Sequence, residues 1–190
     1  MSIRARRERE RAERERLIVT AARELAESQG WDAVTTRRLA DRIEYSQPVL
    51  YSHFAGKDAI MAAVAAEGFT DLAAELRTAR ASAADPRRAV ADVAATYCAF
   101  TERRSALYDA MFAHRAGSSF SGPDAQSPAR EVFAELCETL RPHAGDDDPE
   151  TFAETFWSGL HGLLALVRSG RLGPEEHKRR LELLVGRFSR

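Results

Sequence analysis

Residues 35–57 read TTRRLADRIEYSQPVLYSHFAGK, and the fold follows from how this stretch divides. Leu39, Ala40 and Ile43 recur at three- and four-residue spacing, which predicts a short helix with one apolar side. Thr35 or Thr36 caps it, because a threonine hydroxyl accepts a free backbone N–H of the first turn. Glu44, Tyr45 and Ser46 leave room only for a turn. Ser46 caps the next helix, and Pro48 in its first turn forfeits no hydrogen bond. Leu50 and Phe54 are expected to face inward, leaving Gln47, Val49, Tyr51 and His53 outside. Two short helices at a tight turn predict a helix-turn-helix, whose second helix fits a DNA major groove.

Working outward, a first helix is expected from about Glu10 to Gln29, with Ile18, Ala21, Ala22 and Leu25 as its apolar stripe. Gly30 ends it by accepting a left-handed backbone. Trp31 and Val34 plug the base of this unit. Residues 1–10 are arginine-rich and are expected to form a flexible arm, either solvated or following phosphates into a minor groove. Their interleaved glutamates can also pair with arginine at i+3 or i+4 and extend the helix. Downstream, a helix is expected from Lys57 or Asp58 to about Ala81, roughly 35 Å at ~1.5 Å per residue. Asp85-Pro86 opens another, with Val90, Val93, Ala94, Tyr97 and Phe100 inside. A short helix over 103–113, a loop over 117–128 and a helix from Ser127-Pro128 to Leu140 follow. After a loop over 142–148, Asp148-Pro149 opens a helix to Arg168, and Gly173-Pro174 opens the last, to Phe188. No strand pattern or internal repeat occurs, so the fold is all-α. Residues 1–56 are expected to be a DNA-binding domain and 57–190 a ligand-binding and dimerisation domain.

The formal charge of the chain is −1, yet residues 1–57 hold twelve arginines and lysines against nine acidic residues, a net +3. That asymmetry directs nucleic-acid binding to the N-terminal part. Cys98 and Cys137 sit in apolar helical patterns and read as buried free thiols of a reducing cytoplasm, since small disulfide scaffolds use many more. The N-terminus is charged with no apolar segment behind it, and no run approaches the ~20 residues of a membrane span. A cytoplasmic location without a membrane partner is expected. The histidines do not pair at metal-ligand spacing, so no metal or other cofactor is expected. His161 reads as a core histidine or as a polar group in a pocket. Ser105, Ser118 and Ser158 lack the surroundings of an activated nucleophile, so no catalytic residue is assigned and no enzyme is expected.

The run QPVLYSHFAGK at 47–57 resembles the signature of the TetR family of bacterial repressors, and TTR at 35–37 and QP at 47–48 are similar to runs in a member of that family. The likeness covers roughly residues 10–70. Glu44 departs from it, where the family usually has Gly; a left-handed backbone there costs about 1–2 kcal/mol with a side chain. In FWSGLHGLLALVRSG at 156–170, Trp157, His161 and Gly162 resemble the Trp-His-Gly signature of one C-terminal domain type within the family. The resemblance implies a ligand-responsive repressor that binds a palindromic operator as a homodimer and is released by a small, largely apolar effector. A DNA-binding regulator without a ligand, or an activator, is the alternative. Tyr51, His53 and Lys57 are then phosphate contacts and Arg37 and Gln47 base readers, since Arg holds guanine and Gln adenine in bidentate fashion. Pro48 and Val49 offer apolar contact to a thymine methyl, and Thr35, Thr36 and Ser46 complete the DNA surface. Phe69, Tyr97, Phe100, Tyr108, Met111, Phe112, Phe133, Cys137, Trp157 and His161 line one apolar pocket or form plain core. The last two helices of each subunit make a four-helix interface, with Phe156, Leu160, Leu164, Leu181, Leu184, Val185 and Phe188 as its seam.

Overall fold

In the computed structural model residues 2–113 and 127–190 are described, and every regular element among them is helical. The nine α-helices among the described residues are α1 (Ile3–Gln29), α2 (Thr36–Arg42), α3 (Gln47–His53), α4 (Lys57–Ser82), α5 (Pro86–Arg103), α6 (Ser105–Ala113), α7 (Pro128–Leu140), α8 (Pro149–Arg168) and α9 (His177–Phe188). The loop expected over 117–128 lies, up to residue 126, outside the described residues. The loop expected over 142–148 starts as a 3-10 turn, Arg141–His143.

The flexible arm expected over residues 1–10 is corrected, because α1 begins at Ile3. Ser2 Oγ accepts from Arg4 N at 3.3 Å and caps it. Arg4–Glu8, Arg6–Glu10 and Arg11–Glu15 then link successive turns at 3.0, 2.8 and 2.8 Å. Each such pair adds a few tenths of a kcal/mol to a helix. Gly30 closes α1 with φ at +80°, a conformation that a side chain resists. Asp85, Ser127 and Asp148 act as the expected caps, accepting from Arg88 N, Arg130 N and Thr151 N at 2.7, 3.3 and 2.8 Å.

The chain forms two compact units. The first takes the chain to Gly68 together with α6, so it reaches beyond residue 56 in both sequence and content. The physical reason lies on α1. The Glu27 carboxylate accepts from Ala106 N at 3.2 Å and Leu107 N at 2.9 Å, holding the free N–H groups at the start of α6. Trp31, half-buried, donates its Nε1–H to Ala106 O at 2.7 Å. Gly68 lets α6 approach α4: a Cβ there would stand 2.8 Å from Met111 Sδ and 2.9 Å from Leu107 Cδ1. Ile18, Ala22, Leu25, Val34, Leu39 and Leu50 fill the core between.

The second unit takes Phe69–Arg103 with α7, α8 and α9. Leu72, Leu76, Val90, Val93, Tyr97, Phe100 and Leu136 are among its fully buried side chains. Glu135 is also buried, and Arg77 Nε at 2.7 Å and Arg80 Nη2 at 2.9 Å neutralise it. A lone carboxylate there would be strongly destabilising. Burial pushes the Cys98 thiol up to about 12 and the Cys137 thiol up to about 11, so neither carries a reactive thiolate.

Three residues of the expected intersubunit seam lie inside the chain itself. Phe156 and Leu160 are 0% exposed and Leu164 is 3% exposed, all covered by this chain's own helices. Leu184 lies with its Cδ1 about 3.0 Å from where a Cβ on Gly159 would stand. The Phe188 ring packs 4.9 Å from Phe152 and 5.3 Å from Phe156. Leu181 and Val185 are half-buried, while Leu166 at 41% and Leu183 at 57% are the large apolar side chains left exposed on α8 and α9. No described helix is long and apolar enough to cross a membrane.

Candidate nucleic-acid interface

Thr35 caps α2 as expected, its hydroxyl accepting from Arg38 N at 3.2 Å. Leu39 at 1% and Ala40 at 2% exposure seat that helix, and Leu50 at 1% seats α3. Between them the chain reverses at Glu44, whose φ is +57°. A non-glycine residue in this left-handed region costs about 1–2 kcal/mol, so the turn geometry is retained at an energetic cost. Ser46 occupies the cap position of α3, but its side chain makes no capping hydrogen bond, which corrects that expectation. Phe54, expected inside, is only half-buried.

The outer side of α3 presents Gln47, Pro48, Val49 and Tyr51 to solvent, with Val49 36% and Tyr51 53% exposed. Arg37 projects from α2 and makes no hydrogen bond or ion pair among the described residues. Its neighbour Arg38 is committed elsewhere, to Gln29 Oε1 at 2.7 Å and Ala33 O at 3.2 Å. Thr36 Oγ1 lies 3.5 Å from the Tyr51 hydroxyl, tying the start of α2 to the middle of α3. Sequence reading missed this pair, because partners fifteen positions apart meet only once the turn is built.

Two expected contacts stand differently. The His53 side chain is only 8% exposed, and its Nδ1 lies 3.3 Å from Glu15 Oε1. His53 is therefore not on the outer side with Tyr51; it braces the end of α3 against α1. The Arg11 guanidinium, against the opposing effect of burial and with help from His53, holds the Glu15 carboxyl below the usual range. Lys57 Nζ donates to Trp31 O at 2.6 Å, fixing the start of α4 to the turn after α1. An ammonium has three donors, so this bond leaves two.

Of the ten residues expected around a pocket, Tyr108, Met111 and Phe112 lie on α6 in the first unit, and the other seven lie in the second. Tyr97 and Phe100 at 0%, Phe69 at 2% and Phe133 at 6% exposure are core. Trp157 is half-buried and donates its Nε1–H to the Tyr97 hydroxyl at 3.0 Å, with the His161 ring centred 6.1 Å away. Burial pushes the His161 imidazole down from its ordinary value, favouring its neutral form. A separate surface groove of about 410 Å³ runs over Asp147, Asp148, Thr151, Phe152, Thr155 and Phe188, and none of the ten expected residues lines it.

Residues 18–64 match the family described as bacterial regulatory proteins, tetR family, and residues 90–188 match the tetracyclin repressor-like C-terminal domain. The chain is 26% identical over 154 residues to an uncharacterized HTH-type transcriptional regulator of Mycobacterium tuberculosis, covering 80% of this chain and 69% of that protein. It is 43% identical over 47 residues to the class G tetracycline repressor protein of Vibrio anguillarum, which is 25% of this chain and only 22% of that protein. Among solved structures, a protein of unknown function from Rhodococcus sp. RHA1 superposes with a TM-score of 0.74 at 22% identity, over 92% of this chain and 93% of that one. A TetR family transcriptional regulator from Thermus thermophilus gives a TM-score of 0.61 at 19% identity, over 89% and 97%. At those identities the solved structures speak to the fold.

Proposed function

The chain belongs to the tetR family of bacterial regulatory proteins, and on that premise we propose that it is a cytoplasmic transcriptional repressor that binds a palindromic operator as a homodimer. The observation that carries this reading is the outer side of α3, where Gln47, Pro48, Val49 and Tyr51 stand exposed around a buried Leu50. In the major groove, Gln47 and Arg37 read base edges while Pro48 and Val49 meet a thymine methyl. Tyr51, and Lys57 through its remaining donors, hold phosphates and set register without reading sequence. Two copies pair through α8 and α9, with Leu166 and Leu183 at the interface, and the linked α3 helices enter grooves about 34–36 Å apart.

Release follows from a small, largely apolar effector held near Tyr97, Trp157 and His161. α4 is one continuous helix of 26 residues that belongs to both compact units, and it carries the change between them. The effector acts only by binding the released state more tightly. Moving a population from 1:99 to 99:1 takes about 5.5 kcal/mol of differential affinity. By linkage, operator DNA weakens effector binding by the same factor. The complete burial of Tyr97 and Phe100 favours a second reading, a regulator with a solid second unit and no effector. A thermal-shift screen of apolar compounds separates the two, because a bound effector stabilises by mass action. The repressor reading is tested by selecting duplexes from a random pool. A palindromic consensus that loses preference at one position per half-site in Gln47→Ala supports it; recovery of no sequence preference overturns it.

A further inference from the structure

The positive charge of the first unit is not on its helix-turn-helix. Residues 17–57 hold five basic and five acidic residues, so the net +3 of residues 1–57 resides wholly in residues 1–16, which carry seven arginines against four glutamates. Moreover, Arg38, Arg42 and Lys57 are each engaged by groups of this chain, Arg42 with Glu24 at 2.8 Å. A neutral headpiece gains little from phosphate neutralisation, the term that supplies essentially all nonspecific DNA affinity.

α1 carries the missing charge in a defined place. Its first buried residue is Ile18, and Glu15 meets the end of α3 at His53. The twelve residues of α1 before that contact, 3–14, extend about 18 Å at ~1.5 Å per residue. Arg14, Arg11, Arg7 and Arg4 stand four, seven, eleven and fourteen positions before Ile18, spacings that return to the same side of a helix. The stripe that is apolar and buried from Ile18 to Leu25 thus continues as an exposed basic stripe from Arg14 to Arg4. Glu15, on that same side, touches α3, so the stripe begins beside the helix proposed to enter the groove. Arg7 and Arg14 make no ion pair or hydrogen bond among the described residues. Arg4 and Arg11 pair only with exposed or part-exposed glutamates of their own helix, partners that are weak in water and readily exchanged for phosphate.

We propose that this side of α1 lies along the phosphate backbone of duplex DNA next to the groove that α3 enters, and that it supplies the sequence-independent part of the affinity. The proposal rests on the DNA-binding reading above. Its test compares the full chain with two triple variants on a mixed-sequence duplex, across a salt series. Arg7→Ala, Arg11→Ala and Arg14→Ala together remove three arginines of the stripe. Arg6→Ala, Arg9→Ala and Arg16→Ala remove the same charge from other sides of α1. Alanine keeps the helix, which circular dichroism verifies. The first triple is expected to flatten the slope of log affinity against log salt by about 0.9 for each phosphate no longer neutralised, about 2–3 in all. Its affinity at low salt should fall at least about tenfold. The second triple should change the slope by less than about one. An unchanged slope in the first triple overturns the proposal, and so do equal losses in both, which mean a diffuse field. A wild-type chain that binds no duplex overturns the DNA-binding reading as well, so the two failures are told apart.

Discussion

The α2–α3 segment and the α8–α9 pair were both expected to present side chains to a partner, and the structure treats them differently. On α3 the residues expected outside stay outside, apart from His53. On α8 the residues expected at an interface, Phe156, Leu160 and Leu164, are the chain's own core. The difference comes from what each sequence pattern encodes. In a seven-residue helix seated by one buried leucine, most of the other side chains are left to solvent, and His53 at its end is the exception. In a 20-residue helix an apolar stripe records only that something covers it, and here this chain does so itself.

The largest expected effect breaks the comparison at α8. Leu160→Ala should lower unfolding free energy by about 2–5 kcal/mol, because the site is filled from within the chain. Leu183→Glu should leave intrinsic stability within about 0.5 kcal/mol while shifting sedimentation toward monomer at micromolar concentration. The reverse pattern, a stable Leu160→Ala that no longer associates, would restore the original seam.

Next in size is the test at α3. Gln47→Ala or Arg37→Ala should cost about 1–3 kcal/mol of discrimination at one base pair. Tyr51→Phe should weaken binding evenly on operator and point variants. Even losses in all three variants would remove the division into base readers and phosphate contacts.

A smaller effect sharpens the turn between α2 and α3. Glu44→Gly should raise stability by up to about 1 kcal/mol, since glycine accepts a positive φ and the exposed glutamate loses nothing in exchange. Chemical denaturation measures it, and a destabilised variant would mean that Glu44 holds a compensating contact. The smallest concerns pH. Burial lowers the folded-state pKa of His161, so its neutral form is favoured and both states agree above the unfolded value near 6.5. Stability should fall as pH drops below that value toward the folded one, because the unfolded chain then binds the extra proton. His161→Phe should flatten that dependence in unfolding curves at several pH values; an unchanged pH profile would show that another group controls it.

Much of the fold was legible because it depends on neighbours in sequence. Thr35, Asp85, Ser127 and Asp148 mark helix starts through bonds to amides three positions on. The exposed side of α3 likewise needed only its own periodicity and Leu50. The helical N-terminus was legible in part, since Arg–Glu pairing at i+4 was visible while its outcome against solvation was not.

What only the tertiary structure decided are relations across distance. Glu27 and Trp31 claim α6 for the first unit through atoms that lie about 75 to 80 positions away. His53 turns to Glu15 across 38 positions and leaves the set of residues expected to face DNA. Phe156 and Leu160 meet this chain before they can meet a second copy. An apolar or ionisable side chain states its need for a partner in the sequence. Which partner arrives is set by the packing of whole helices, because burial is non-directional and rewards whichever surface closes the core.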